Sequence, residues 1–432
     1  MRKLVVGLLL AVLVAGLSGC ASYSQGFQKV ELLLSQQKPE LALQELEKNP
    51  STGADKLLYL LDKAMLQRMS GLYEASNTTF EQAKALMDKL EATSVMEQVG
   101  ALTVNDSAMS YEGEDYEQIA VHIYAALNYI ELGLWDEARV EALQIDERMK
   151  RLKEKRDGKA IEDPFARYLT GFIFEQGGEY SDAMIAYRDA YQIYRKYDYP
   201  TPLFLQRDLL RLSKYLGLDQ EYQTYIKQFG FQEKYAVSRL QQQGEIVLLL
   251  HHSLAPIKRA HEVLVYSATG VPLRISMPVY QSRPSYIRQA RLVVGDKSVS
   301  TVVVDSFDKL ARLSLKTHQA AITARLIARA LIKKQAAHQA ENKGGALAGF
   351  LVDVAGMATE TADTRSWLTL PKNILFARLP LAAGTYPARL ELIGEAGHVI
   401  QTIDVGNVTV TKGKKTVLEK SFVAPNLQVV NP

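Results

Sequence analysis

From Ser24 to Gly230, apolar residues recur at spacings of three and four with almost no alternating runs, so this half of the chain is predicted to be helical. Its clearest unit is Asp163–Tyr194, DPFARYLTGFIFEQGGEYSDAMIAYRDAYQIY, which reads as two antiparallel helices turned at Gly178 and Glu179. Small residues fall where the two helices must approach closely, and aromatic residues fill the spaces beside them. Such a pattern states a packing mode rather than a reaction.

Gly171 and Phe174 keep the G-x2-Y spacing of a first helix, and Ala183 and Tyr187 keep the A-x3-F spacing of a second, which together form a tetratricopeptide-like signature. Ala42, Ser76, Ala138 and Ala183 are each followed four residues later by Leu46, Phe80, Ala142 and Tyr187. The first interval is the 34 residues of the repeat, and the later ones of 62 and 45 carry insertions. A second good unit runs from Tyr116 to Ala142, and Thr201–Phe229 supplies one more pair hinged at Gly217. Stacked pairs curve into a concave groove that takes protein segments, and Tyr129, Trp135, Phe174 and Tyr187 are expected to line it. Two polar inserts, Thr103–Tyr116 and Lys150–Lys159, read as solvated.

At Gly244 the pattern changes to short β-rich runs between turn residues: Glu245–Ser253, Pro272–Tyr280, Tyr286–Val294 and Ser298–Val304, then Ile374–Leu379, Tyr386–Ile393, Val399–Val410 and Thr416–Phe422. The expected class is α+β: a tetratricopeptide-like stack over residues 20–240, then an antiparallel β-sandwich-like domain from 241–304 and 366–432, interrupted by an insertion at 305–365. The insertion opens with a basic helix, whose stretch from Lys309 to Lys343 contains eight lysines and arginines but only Glu341 as an acid. A basic amphipathic helix suits an anionic lipid surface or an acidic partner, and equally suits packing on the sandwich with its charges in solvent or on the acidic repeats. The apolar run Gly344–Ala358 is too short to span a bilayer, which takes roughly 20 residues.

Charge sharpens the division. Cys20–Leu240 holds 26 basic and 35 acidic residues, and Gln241–Pro432 holds 23 and 13. Such an asymmetry suits two domains with different environments or partners of opposite sign, and it also suits the solubility of each half and attraction between them. At the start, Arg2 and Lys3, an uncharged run from Leu4 to Leu17, and Leu17-Ser18-Gly19-Cys20 have the layout of a secretory signal over residues 1–19. Cys20 is the only cysteine, which excludes an internal disulfide, a second thiol nucleophile and any multi-cysteine metal site.

No metalloprotease, phosphate-loop, dinucleotide or nucleophile-elbow motif occurs, and no Cys/His spacing suits a metal, so no cofactor, metal or catalytic residue is assigned. No nucleic-acid partner is expected. His251 and His252 are adjacent in a predicted strand and must point to opposite faces. The best candidates for a ligand loop are Asp363, Arg365 and Trp367, since an acid, a bidentate donor and a flat aromatic suit a peptide end or a sugar. The same three also suit an internal brace, with Arg365 paired to Asp363 and Trp367 plugging the sandwich.

Leu-Ser-Gly-Cys resembles the lipobox of bacterial lipoproteins, which implies acylation of Cys20, and the lack of Asp after it implies the outer membrane. The whole mature chain resembles an uncharacterised family of bacterial envelope lipoproteins through His122–Ala142, Asp163–Tyr191 and Ala362–Tyr386. That family looks as if it belongs with envelope lipoproteins of the curli-secretion and penicillin-binding-protein-activator kind. The resemblance implies a periplasmic scaffold or assembly factor with envelope-protein partners, in peptidoglycan synthesis or secretion. The alternative is an enzyme acting on envelope polysaccharide or peptide through the C-terminal domain.

Overall fold

The computed structural model describes residues 23–100, 109–233, 237–266, 270, 272–345 and 362–423. Cys20, the expected signal segment and most of the apolar run after Gly344 lie outside them. The N-terminal half comprises α1 (Tyr23–Gly26), α2 (Gln28–Ser35), α3 (Pro39–Glu47), α4 (Lys56–Met69), α5 (Tyr73–Gly100), α6 (Asp115–Glu131), α7 (Trp135–Lys155), α8 (Pro164–Gln176), α9 (Tyr180–Lys196), α10 (Leu203–Tyr215), α11 (Asp219–Phe229) and the short α12 (Val237–Gln242). From α4 onward the long helices pair as antiparallel hairpins of tetratricopeptide-like form: α4 with α5, α6 with α7, α8 with α9, α10 with α11.

Local chemistry explains the best pair. Asp163 caps α8 by accepting the Ala166 N–H at 2.9 Å, and Pro164 occupies the first turn, where its missing N–H costs nothing. Gly178 turns the chain at φ +80°, and a Cβ at Gly171 would stand 2.6 Å from the Tyr187 ring. Only glycine lets α8 and α9 come this close.

The C-terminal half contributes β1 (Gly244–His252), β2 (Ile257–Tyr266), β3 (Pro272–Gln281), β4 (Ile287–Val294), β5 (Lys297–Ser300), β6 (Val302–Ser306), α13 (Phe307–Gly344), β7 (Asn373–Leu381), β8 (Gly384–Gly394), β9 (Val399–Val410) and β10 (Lys415–Phe422). One sheet has the order β10-β1-β7-β6 and a second the order β5-β4-β8-β9. Ile246, Leu248 and Leu250 of β1 join Ala290 and Leu292 of β4 and Leu390 of β8 in the second sheet, forming a sandwich core. Val247 and Leu249, pointing the other way, join the core of the helical stack. The first sheet is thus the middle of three layers. This is why β1 is buried along its whole length and reads as a continuous apolar run.

Three features depart from expectation. The sandwich is not purely antiparallel, because β10 pairs with β1 in parallel register. Its neighbour in sequence, β9, belongs to the far sheet, so β10 crosses over and takes the open edge of β1. Ser298–Val304 divides at Thr301 into β5 and β6, one in each sheet. β2, where no strand is expected, pairs with β3 alone, and this hairpin stands outside both sheets against α13.

Candidate functional site

The expected groove is filled by the chain itself. Fifteen of the 17 residues of α6 are buried, against seven of 17 in α9. A helix buried all round needs neighbours on every side, and the first helices find them in their partner helices and the middle sheet. Phe376 of β7 sits among the rings of Tyr168, Phe172, Phe165 and Phe204 at 4.8–6.3 Å. Tyr124 of α6 meets His251 at 5.5 Å and Trp367 at 6.2 Å.

The four residues expected to line a groove therefore need correcting. Tyr187 is wholly buried, stacked on Tyr168 and donating to Glu175 at 2.8 Å. Phe174 is buried under the Arg139 guanidinium, while Tyr129 and Trp135 are half-buried on the stack, Trp135 against Phe172. The spacing that identified them describes contact within a hairpin, so it marks interiors rather than binding surfaces.

Asp363, Arg365 and Trp367 are brought together as a brace. Arg365 holds both oxygens of Asp363 at 2.9 and 2.7 Å, reaches Asp55 at 3.2 Å and the Met109 carbonyl at 2.8 Å, and lies over the Tyr111 ring. Burial alone would raise the Asp363 carboxyl, but Arg365 and Lys258 hold it low. Trp367 plugs the stack rather than the sandwich, edge-on to Phe80 and Tyr124, with its backbone N–H donated to Glu117 at 2.8 Å. Two residues on, Thr369 donates its N–H and hydroxyl to Asp62, whose carboxyl burial pushes up to about 7.

The insert ahead of α6 is also not solvated where it is described. Tyr111 is buried and bonded to Glu117, and Glu114 pairs with Lys258 of β2. The charge complementarity of the halves is spent here, between layers.

The middle sheet is polar at both ends of its helix-facing side. At one end Arg378 of β7 holds Glu245 of β1 through two hydrogen bonds, at 2.9 and 2.8 Å, and Asp208 of α10 at 2.6 Å. Arg211 pairs with Asp208 at 2.8 Å and Glu175 at 2.9 Å. Burial would raise the Glu175 carboxyl, but Arg211, Lys415 and Arg378 hold it far below the usual range. At the other end Glu419 of β10 pairs with Arg68, and His251 Nε2 lies 2.7 Å from it. Those two neighbours overcome the effect of burial and bring Glu419 down to about 2. His252, on the opposite face, is pushed down to about 4 by burial and by Lys372. Sequence reasoning missed this network, whose members spread from residue 68 to residue 419 and look singly like surface charges. The one available signal was Glu245 opening an apolar run.

The remaining conspicuous feature is an arm made of the β2–β3 hairpin and α13. Phe307, Leu310 and Ala311 root α13 in the main core, and Lys309 stacks over Tyr199 of the repeats at 4.6 Å. Ser314 donates to Glu114, and His318 approaches Asp115 at 3.9 Å. The first turns of the basic helix thus rest on the acidic start of α6 and on β3, not on the sandwich. Between β3 and α13 runs an apolar groove of about 550 Å³, lined by Val263, Met277, Val279, Leu315 and Ile322 among others. Register and alternation set Leu264 and Tyr266 on the outer face of the hairpin, 59% and 66% exposed. Among the described residues no group of side chains could hold a metal ion, and no helix is long and apolar enough to cross a membrane.

No family model matches the chain, and no curated protein matches it. Among solved structures, the apo form of RapI aligns with 48% of this chain and 68% of its own at 11% identity, with a TM-score of 0.35. A Podosopora anserina putative kinesin light chain with nearly identical TPR-like repeats covers 49% of this chain and 95% of its own, at 15% identity and a TM-score of 0.33. MamA AMB-1 covers 49% and 93%, at 13% identity and 0.30. Likenesses this distant carry no functional conclusion.

Proposed function

We propose that this protein is a lipid-anchored scaffold or assembly factor of the bacterial envelope, held at the outer membrane by an acylated Cys20 and facing the periplasm. It works by binding envelope proteins, in peptidoglycan synthesis or secretion, and not through a catalytic centre. The observation that carries this reading is a contrast of surfaces. The inner face of the repeats is closed by the chain's own sheet, whereas the arm leaves Leu264 and Tyr266 exposed on the outer face of its hairpin and an apolar groove on the other face, against α13. Scattered exposed apolar residues are ordinary, but a hairpin outside both sheets that shows an apolar pair on one face and a groove on the other has the form of a contact surface. Its occupant is a protein segment with an apolar anchor, and Lys316 on the groove, with Lys334 and Lys343 exposed further along α13, favours one that is acidic.

In-cell photocrosslinking tests this. Photoreactive residues at Leu264, Tyr266 and Ile332 are expected to capture an envelope protein, and those at Tyr129 and Trp135 nothing specific. Capture from Tyr129 and Trp135 alone, or of phospholipid alone from the arm, overturns the arm as the protein-binding surface. Cys20→Ala is expected to release the protein from the membrane fraction; retention there overturns the anchor.

A further inference from the structure

At the Lys415 end of the middle sheet, a cleft of about 290 Å³ opens between the C-terminus of α8, α10 and the start of β10, lined by Glu175, Arg211, Glu245, Gly413 and Lys415 among others. Its acids are all engaged. Glu175 accepts from Arg211 and from the Tyr187 hydroxyl, Glu245 takes two bonds from Arg378, and Asp208 takes Arg211, Arg378 and Tyr168.

The donors are not. Arg211 Nη1 is buried without a hydrogen-bond partner, on a side chain only 2% exposed. Lys415 Nζ, on a side chain 8% exposed, donates to the Phe172 carbonyl at 3.0 Å, lies 4.1 Å from the centre of the Phe172 ring and stands 3.9 Å from Glu175, beyond hydrogen-bond distance, so its ammonium has room for one further acceptor. Burying charged donors without acceptors is unfavourable, so a ligand that supplies an acceptor is favoured in this cleft. Charge narrows the choice. Two cationic donors suit a planar monoanion, while Glu175 and Glu245 on the same walls repel a dianion such as phosphate.

We propose that this cleft is a binding site for a single carboxylate, held by Arg211 and Lys415, of the kind presented by a peptide C-terminus or a small organic acid. The site is separate from the arm and does not depend on the scaffold reading. Burial pushes the Lys415 amine down to about 8, with Glu175, Glu245 and Asp208 raising it and Arg378 lowering it. An amine so placed acylates at pH 8 faster than an ordinary lysine of the same exposure.

The test uses the unmodified mature protein and three probes: dialanine, its C-terminal amide, and propionate. Lys415 is acylated with a limiting amine reagent, and its modification is read by mass spectrometry. Dialanine is expected to protect Lys415 where the amide does not, identifying a peptide end. Protection by propionate but not dialanine assigns the site to a small acid. Equal protection by dialanine and its amide, protection by none of the three probes, or stronger protection by inorganic phosphate overturns the proposal. In calorimetry, Lys415→Gln is expected to weaken binding of the protecting acid by about tenfold or more. Unchanged affinity in the folded variant also overturns it. Should that variant not fold, the protection experiment on the unaltered chain still decides.

Discussion

The layer interface and the arm are made of similar residues and treat them in opposite ways. At the interface, aromatic rings close around Phe376 and Arg378 is matched by Glu245 and Asp208. On the arm, Leu264 and Tyr266 remain exposed, as do Lys316, Lys334 and Lys343 of α13. The lesson is that a repeat stack need not bind a foreign segment in its hollow. Here the hollow is a core, and the exposed apolar side chains Leu264 and Tyr266 lie on an appendage.

The interface breaks most readily at Arg378. Arg378→Met leaves Glu245 and Asp208 buried without their cation and is expected to cost about 3–5 kcal/mol in urea unfolding. A loss below about 1 kcal/mol would mean that water reaches the cluster and the layers are not sealed.

Asp163 tests the interface with the opposite sign. Burial raises its carboxyl from 3.8 to about 6, and Asp305, also buried, is raised well above its ordinary value by burial and by Asp163. A raised acid pKa means that stability from this group is complete below pH 3.8 and is lost as pH rises through about 6. Asp163→Asn keeps the helix cap and is expected to stabilise the protein by roughly 2–3 kcal/mol at about pH 7.5, with the gain gone at about pH 3.5. The thermal midpoint of both proteins across that range reads the difference.

Within the stack, Gly171→Ala drives a methyl into the Tyr187 ring and is expected to cost about 1–3 kcal/mol. The smallest effect on folding belongs to the arm: Leu264→Asp with Tyr266→Ala is expected to stay within about 0.5 kcal/mol in thermal unfolding while abolishing crosslinked partner capture. Large destabilisation there would show that the arm's outer face is structural.

Much of this was legible because it is local. Gly171 and Tyr187 fixed one hairpin from their spacing, and the runs at Val399–Val410 and Pro272–Tyr280 announced strands. What was illegible depends on distant pairings. β2 lacks a clear apolar alternation, since Ile257-Lys258-Arg259-Ala260-His261-Glu262 is polar on both faces, and only β3 and α13 make it a strand. Trp367 shows no sign in its own neighbourhood that it will enter the stack between Phe80 and Tyr124. The site candidates suffered most: an aromatic at a repeat position carries the same letter whether it lines a hollow or fills one. Only the sheet that occupies the hollow distinguishes the two.

The pairing of β10 with β1 also sets an order of events in time. Lys415–Phe422 must find Glu245–His252 across some 170 residues of intervening chain, and until then the edge of β1 lacks its cover. Contacts between such remote segments form late, because loop closure precedes any compensating interaction. A chain emerging from its amino terminus therefore carries an uncovered repeat stack until Phe376 of β7 arrives, and an open edge on β1 until residue 422 arrives. This interval is when the protein is most open to aggregation. Truncation before Lys415 is thus expected to prolong the vulnerable state indefinitely rather than remove a dispensable end.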